Sequence, residues 1–538
     1  MLPLPTPSAI AAFVGGVLML AIGVVGESAI AVVLASTLFA GLGAALAFTA
    51  PLGARLRAQR LELTWWHAHE GSLASRGAVV AGVPFEIRAA LKYPADATLV
   101  VADMKPALAD HVRCIRGLED DRVLPPRSRT ELAFTLVADA PGRVVLHGLS
   151  LMVPGPLDLF RAPLYFPSVL VVKALPRAAA RSVPPSTSRA SLAVERAGLT
   201  QRRARGGSTD LRELRELLPG DPFKAIAWKA SAKTGRLMVR EVESEVQETF
   251  YVVLDASGTM RGGRPGSRKL DHAIEIAAVA VQQAIDRGDR VGVITVDGRI
   301  LSHARPREGR SHFPALHEAL LAATEVVDQD LTEPDDDELI AIVARYVRRQ
   351  DGVRFATSAG VDVDGLVRHA ASALAQDRDR SDVVASDRRT KILRRYCRAR
   401  GIVLRHRAET RGFGKGLGLA KALQEAAGTT RVPRSILFIT DFDGVFQPEH
   451  LEKTLRLLRS EQHALRCVFP DGRGSSTTQP SALVSDLELV YGLGEERRLR
   501  DARTWLGKLG IPVIGSSEHD TPRALAASTR GSRARRTA

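Results

Sequence analysis

Three oxygen-bearing side chains stand at alternate positions of one short segment: Asp255, Ser257 and Thr259. A carboxylate and two hydroxyls suit a hard divalent cation, Mg²⁺ above all, and water or a partner's carboxylate can complete its shell. The same residue types also favour plain turns at strand ends, because they bond to their own backbone. The motif alone therefore does not distinguish a metal site from a structural turn.

The elements around this motif predict a sheet that would position it. The apolar run from 250 to 255 is typical of a central strand buried on both faces. A helix is predicted from about residue 269 to 287, and further strands at 291–296, 435–440, 465–469 and 512–514. This alternation indicates a doubly wound α/β domain over residues 249–520. Because ligands bind at the carboxyl ends of such strands, Asp441 is expected to join Asp255 there, with Asp443 as a close alternative.

A long insertion, about residues 299–409, separates the early and late strands of this domain and exceeds an ordinary connection. Amphipathic helices are predicted within it at 339–349 and 363–375. The acidic run from Asp335 to Glu338 could attract a cation. As a helix start favoured by the helix dipole, it needs no ligand.

The N-terminal region, residues 1–54, has the composition of two membrane-spanning helices. No charged residue occurs in 1–26 or in 28–53, and each stretch approaches the ~20 residues that a span requires. A signal peptide is disfavoured because the positively charged start is missing. Arg55, Arg57 and Arg60 follow the second stretch, so the positive-inside rule predicts a hairpin in the inner or plasma membrane with the bulk of the chain cytoplasmic.

Residues 61–176 alternate in short apolar and polar runs separated by turn signals, as at 83–88, 97–102 and 130–136. This period of two predicts an antiparallel, Ig-like β-sandwich. Residues 177–205, rich in Pro, Ser, Ala and Arg, are predicted to be an exposed basic linker, and 521–538 a basic disordered tail.

The net charge of +15 is concentrated in arginine clusters at 181–205, 388–407 and 530–536. Such clusters can bind nucleic acid, but in a membrane-tethered protein they also suit a surface that faces anionic lipid. We therefore do not expect nucleic acid as the partner. The three cysteines are widely separated and odd in number, which argues against a disulfide framework.

The segment 206–248, which leads into the α/β domain, can be interpreted locally. Asp221 is placed to cap a helix that begins at Pro222, with Phe223 and Ile226 on its inner face. Gly235 can end that helix in a left-handed turn. Trp228 is expected to be a core anchor of this unit.

This segment closely resembles the signature of the domain of unknown function 58 family. The matching residues are Pro219-Gly220-Asp221, Ile226-Ala-Trp228-Lys229-Ala-Ser231-Ala-Lys233-Thr234-Gly235 and Val239-Arg240-Glu241. The resemblance implies a membrane protein with two helices, a sandwich, the phrase Pro-Leu-Asp-Leu-Phe-Arg (156–161) and a von Willebrand factor A (vWA)-like domain. With this signature upstream, we favour the metal site over the plain turn.

In vWA domains the metal-ion-dependent adhesion site (MIDAS) is written Asp-x-Ser-x-Ser, and Thr259 here keeps the last hydroxyl. The resemblance implies that Asp255, Ser257, Thr259 and Asp441 bind the cation, with Asp443 a weaker candidate. The family's distal threonine has no clear counterpart. The helix start 416–423 resembles the one that follows it, yet the aligned position holds Gly416 or a neighbour. Thr410, several residues upstream, is the weaker candidate for this ligand.

The resemblance also implies a function. The usual partner in the family is a MoxR-type AAA+ ATPase, with which it is thought to act in a chaperone-like or maturation role. The Gly-rich run 412–418 matches neither the Walker nor the dinucleotide spacing, and no small-molecule substrate is evident. We therefore expect a non-catalytic interaction protein. A metal-dependent hydrolase and a binder of nucleic acid or anionic lipid are the alternatives.

Overall fold

The chain forms an N-terminal helical hairpin, then mostly antiparallel sheets, then a mostly parallel sheet with helices. It is a computed structural model. The residues that the structure describes are 3–52, 56, 62–67, 78–96, 98–109, 111–117, 122–177, 211–217, 223, 226–242, 248–357, 360–377, 383–407, 413–428, 432–445, 448–470 and 482–516. The predicted linker, apart from Arg177, and the predicted tail lie outside them.

A short strand, β1 (Leu4–Pro5), precedes the hairpin of α1 (Pro7–Val25) and α2 (Ala29–Thr49). Thr6 and Ser28 cap the two helices with their hydroxyls. Both helices are long and apolar enough to cross a membrane, and only 17% of each span is buried within the structure. The two predicted apolar helices are therefore confirmed, and length and composition are the evidence that they could span.

The β-rich region that follows contains two sheets packed on one core. Its strands are β2 (Glu62–His67), β3 (Ala78–Val80), β4 (Phe85–Tyr93), β5 (Leu99–Leu108), β6 (Val112–Arg116), β7 (Arg122–Leu124), β8 (Ser128–Ala138), β9 (Gly142–Pro154) and β10 (Phe160–Leu175). The orders are β2-β4-β8-β6 and β1-β10-β9-β5-β7, with β3 beside β10. Phe134 on β8 and Leu146 on β9 belong to the same buried cluster, so the two sheets share their apolar faces.

The base of the hairpin contacts the turn at residues 156–158, which joins β9 to β10. The Thr6 hydroxyl donates to the carbonyl oxygens of Asp158 at 2.8 Å and Leu159 at 3.0 Å. At Gly155 a Cβ atom would lie 2.0 Å from the Thr49 hydroxyl, so only glycine permits this approach. The Pro-Leu-Asp-Leu-Phe-Arg segment (156–161) thus provides contacts between the apolar helices and the sheets.

The segment with the family signature forms β11 (Leu211–Glu216), α3 (Trp228–Thr234) and β12 (Met238–Val242), and its two strands pair antiparallel. Gly235 ends α3 with a φ of +68°, as predicted. Ser231 is buried, and its hydroxyl accepts from the amide of Met238 at 2.8 Å. Lys229 is exposed on α3, while Gly220 and Asp221 lie outside the described residues.

The expectation that Trp228 anchors a core is wrong. Its side chain is 65% exposed, and Phe223 upstream is 79% exposed. The described helix begins at Trp228 itself, so the apolar face that the sequence suggested for Phe223 and Ile226 does not form on this helix. Ile226 is buried instead through its bridge to Val239 on β12.

The last sheet has the order β15-β14-β13-β18-β19-β20 and is parallel except at β15. Its elements are β13 (Thr249–Asp255), α4 (Lys269–Asp286), β14 (Arg290–Val296), β15 (Ile300–Arg307) and α5 (Phe313–Ala322), and after a helical insertion α9 (Phe413–Ala427), β18 (Ser435–Ile439), α10 (Glu449–Ser460), β19 (Ala464–Pro470), α11 (Ala482–Lys508) and β20 (Val513–Ser516). Helices α4 and α5 cover one face, and α9 and α10 the other. Strand β13 is central and buried, as predicted.

The insertion contributes α6 (Asp336–Gln350), a hairpin of β16 (Ala356–Thr357) and β17 (Gly360–Val361), α7 (Val363–Asp377) and α8 (Arg388–Ala399). These helices have a core of their own, while β15 and α5, which lie inside the predicted 299–409 insertion, pack on the sheet. Asp335 caps α6 through the amide of Glu338, as expected of a helix start. The insertion also contacts the β-rich region, because His147 bonds to the Tyr346 hydroxyl at 2.7 Å.

Helix α5 carries a buried histidine whose titration should be visible in the stability. His317 is 7% exposed and stacks on Phe313, and burial lowers its pKa from 6.5 to about 4. The unfolded chain therefore takes up a proton near pH 6.5, while the folded chain does so only near pH 4. The free energy of unfolding should therefore decrease as the pH falls from about 6.5 to about 4, by up to about 3 kcal/mol.

The measurement is the thermal unfolding midpoint of the detergent-solubilised chain between pH 7 and pH 4, compared with His317→Leu. The variant should show a shallower decline. Other histidines whose pKa is lowered by burial titrate equally in both proteins, namely His303, His312 and His463. Identical slopes for the two proteins would refute the assignment to His317.

Candidate metal-ion site

The predicted site residues converge at the carboxyl end of the parallel sheet. Asp255 is the last residue of β13, and Asp441 follows β18, which pairs with β13 in parallel register. The backbone turns directly after β13, where the Ser257 amide donates to Asp255 Oδ1 at 3.0 Å. Asp255, Ser257 and Asp441 are each at most 1% exposed.

Hydroxyls link the two carboxylates. The Thr259 hydroxyl lies 3.2 Å from Ser257 Oγ and donates to Asp441 Oδ1 at 3.1 Å. On the other side, Thr440 donates to Asp255 Oδ2 at 2.6 Å. The four residues predicted from the sequence are therefore neighbours in one buried cluster.

Of the two alternatives named from the sequence, Asp443 and Thr410, the structure describes Asp443. Asp443 is 40% exposed, and its carboxylate pairs with Arg498 at 3.1 Å. Only its amide reaches the cluster, by donating to Asp441 Oδ1 at 3.2 Å. Asp441 is therefore the acid of the cluster, and Thr410 lies outside the described residues.

Two buried lysines complete the cluster. Lys415, on α9, places its ammonium 2.8 Å from Asp255 Oδ2, 2.5 Å from Asp441 Oδ1 and 2.9 Å from Thr259 Oγ1. Lys269, the first residue of α4, lies 2.9 Å from Asp441 Oδ2 and 2.9 Å from the carboxylate of Glu495. Every charge within the cluster thus has an opposite charge in contact with it.

Burial and pairing act against each other on these groups. Burial alone would raise the pKa of Asp441, but Lys415 and Lys269 lower it to about 2. Burial alone would lower the pKa of Lys415, yet Asp255 and Asp441 raise it above its usual range. Asp441 and Glu495 likewise outweigh burial and raise the pKa of Lys269. The carboxylate of Asp441 and both lysines are therefore charged near neutral pH.

The oxygen atoms of the site are of the kind that a divalent cation binds. The position and the charge of Lys415, however, do not suit a cation at the same point. The point that Asp255, Thr259 and Asp441 share holds the ammonium of Lys415. Among the described residues there is no group of three or more His, Cys, Asp or Glu side chains suited to a metal. The residues present do not fit a bound Mg²⁺ while Lys415 stays charged and in place.

Sequence reasoning missed Thr440, Lys415, Lys269 and Glu495. Lys415 left a signal, because it is the one charged residue in the Gly-rich run 412–418. Lys269 begins a largely apolar helix, but nothing in the sequence links it to Glu495, which is 226 positions away. Beside the cluster, Asp297 follows β14 and pairs with His406 at 2.7 Å, which the sequence also did not suggest.

Comparison with known proteins places the chain's middle section. The model of one protein family, described as "Protein of unknown function DUF58", matches residues 213–391. This section resembles that family. The match takes in part of the signature segment, the motif around Asp255 and most of the helical insertion, and it ends before Lys415 and Asp441.

Curated relatives add little to this. Uncharacterized proteins from Mycobacterium bovis and Mycobacterium tuberculosis are 26% identical over 107 residues, which is 20% of this chain and 34% of theirs. The chain therefore spans about a third of the length of the curated relatives it matches. Among solved structures, a FixG-related protein from Vibrio parahaemolyticus (10% identity, 21% of this chain, 95% of that chain) has a TM-score of 0.14. The PilB minor pilin from Streptococcus sanguinis (9% identity, 79% and 77%) has a TM-score of 0.22. Neither TM-score is high enough to indicate a shared fold.

Proposed function

We propose that this protein is a membrane-anchored, non-catalytic interaction protein of the inner or plasma membrane with its bulk in the cytoplasm. Its Ig-like sandwich and vWA-like domain would form a scaffold for a MoxR-type AAA+ ATPase in a chaperone-like or maturation role. The observation that carries this proposal is the exposed Trp228 in the signature segment. An aromatic residue of this size is a typical anchor of a protein–protein interface.

The burial of the charged cluster supports binding over catalysis. Lys415 and Asp441 are fully buried and Asp255 is 1% exposed, so a substrate would have to displace their mutual contacts to reach them. A hydrolase needs a nucleophile or an activated water within reach of its substrate. The cluster instead holds together the loops at the carboxyl ends of β13 and β18.

The described arginine cluster supports a protein partner over nucleic acid. Arg394 is fully buried and donates to the backbone, and Arg398 pairs with Glu325 at 3.1 Å. Arg407 donates to the carbonyl oxygen of Thr332 at 3.0 Å. Arg394 and Arg398 are thus committed to internal partners and are not available to phosphates, whereas Arg388, Arg389, Arg405 and Arg407 are exposed.

Affinity capture from detergent-solubilised membranes tests the proposal. The full chain should enrich an AAA+ ATPase, and Trp228→Ala should weaken capture by about 30-fold, as expected for an interface anchor worth about 2 kcal/mol. Because Trp228 is exposed, the variant should keep its unfolding temperature.

The matched control is Val403→Ala, which removes an 82% exposed apolar side chain from the helical insertion. It should leave capture intact. Equal capture by Trp228→Ala and the parent protein would contradict the proposal. Phosphoester turnover that disappears in Asp255→Ala would support the hydrolase alternative instead.

A further inference from the structure

The ammonium of Lys415 lies where the sequence motif calls for a metal ion. Its three contacts are Asp255 Oδ2, Asp441 Oδ1 and Thr259 Oγ1, which come from the loops after two neighbouring parallel strands. We propose that Lys415 is a built-in replacement for the divalent cation, so that this site is assembled without metal. The inference rests on the geometry of the cluster and not on the proposed function.

The dimensions suit an ammonium. The three separations lie between 2.5 and 2.9 Å. That is the range of charge-assisted hydrogen bonds, whereas Mg²⁺ lies about 2.0–2.1 Å from its oxygens. An ammonium has three protons to donate, and here each proton has an acceptor. Lys415 is therefore fully satisfied inside the cluster, which explains how it can be completely buried.

The charges balance without an ion. Within the cluster, the carboxylates of Asp255 and Asp441 face the ammonium groups of Lys415 and Lys269. Beside it, Glu495 pairs with Lys269 and with Arg498, which also pairs with Asp443. A divalent cation would add two uncompensated positive charges to a buried region, which is strongly unfavourable.

Glycines allow α9 to bring Lys415 into place. A Cβ atom at Gly418 would lie 1.9 Å from the carbonyl oxygen of Asp297, and one at Gly414 would lie 3.4 Å from Gly298 Cα. The start of α9 therefore packs directly on the loop after β14. This close packing accounts for Gly418, where a side chain would collide with the backbone.

The same segment explains the missing distal threonine. The family's pattern implies a hydroxyl ligand near Gly416, and this chain has Lys415 beside that position. Losing a hydroxyl ligand and gaining an ammonium at the site would together change a metal centre into an ion-pair centre. The loop after β13 keeps its carboxylate and hydroxyls because the ammonium needs the same acceptors.

The test measures metal binding to the full chain in detergent, and it does not depend on the affinity-capture experiment. Titration of the parent protein with Mn²⁺ should show no site, and EDTA should leave its unfolding temperature unchanged. Lys415→Ala should create a Mn²⁺ site at least ten times tighter than anything in the parent, and Mn²⁺ should raise the unfolding temperature of that variant. Adding Asp441→Asn to Lys415→Ala should abolish the site.

Lys421→Ala is the matched control, since it removes the same charge from an exposed position of the same helix and should gain no site. One tightly bound Mn²⁺ per chain in the parent protein overturns the proposal. A folded Lys415→Ala variant that binds no metal also overturns it. If that variant does not fold, two measurements on the parent protein test the proposal: its Mn²⁺ titration, and its bound metal after purification in buffer that contains Mg²⁺. These outcomes are independent of ATPase capture, so the two proposals can fail separately.

Discussion

Asp441→Asn is expected to destabilise the α/β domain by about 3–5 kcal/mol, the cost of breaking a buried ion pair by removing one partner. Asp441 is fully buried and contacts two ammonium groups, those of Lys415 and Lys269. The amide would leave a buried excess of positive charge that no solvent can screen. Native-state hydrogen exchange of peptides from β13 and β18 measures the loss, because their amides open only with the core of the sheet.

Asp443→Asn is the control for this prediction, since it makes the same change two residues away. Asp443 is 40% exposed and pairs only with Arg498 among the described residues, so its loss should cost less than about 1 kcal/mol. Similar losses in the two variants would mean that the buried lysines do not depend on Asp441. The pair of variants also separates the two acids that sequence spacing could not.

Arg394→Met is expected to destabilise the helical insertion by about 4 kcal/mol, the sum of several buried hydrogen bonds left unmade. Arg394 is fully buried on α8 and donates to the carbonyl oxygens of Val327 at 2.8 Å and Pro334 at 2.9 Å, and to the Thr332 hydroxyl at 2.7 Å. These acceptors belong to the loop that joins α5 to α6. Exchange of peptides from α6 and α8 measures the effect.

Two further variants sharpen this test. Arg389→Met removes an arginine from the first turn of the same helix, where it is 60% exposed and pairs with Asp364, and should cost less than about 1 kcal/mol. Arg394→Lys keeps the charge but lacks the planar fork that reaches separate acceptors, so most of the loss should remain. Full stability in Arg394→Lys would show that charge alone suffices.

Local patterns predicted the elements well. The hairpin and the parallel strands follow from continuous apolar runs of the length that a span or a buried strand requires. The alternating strands follow from a period of two, which arises from backbone geometry within one segment. The expectation for Trp228 failed for the opposite reason. Size and hydrophobicity describe the residue, whereas burial depends on what packs against it, and the Trp228 side chain stays 65% exposed.

The motif of Asp255, Ser257 and Thr259 shows the same difference between local pattern and tertiary contact. The sequence alone predicted that Asp255, Ser257 and Thr259 leave a strand together, and that Asp441 or Asp443 follows another strand of the same sheet, because ligands bind at the carboxyl ends of such strands. Only the tertiary structure decided what the oxygens bind. Lys415 is 156 residues from Thr259 in the chain, and its ammonium reaches the cluster from α9, which Gly418 allows to pack closely on the loop after β14. Charge pairing over such separations leaves no periodic trace in a sequence, so a motif typical of a metal site can hold a lysine instead.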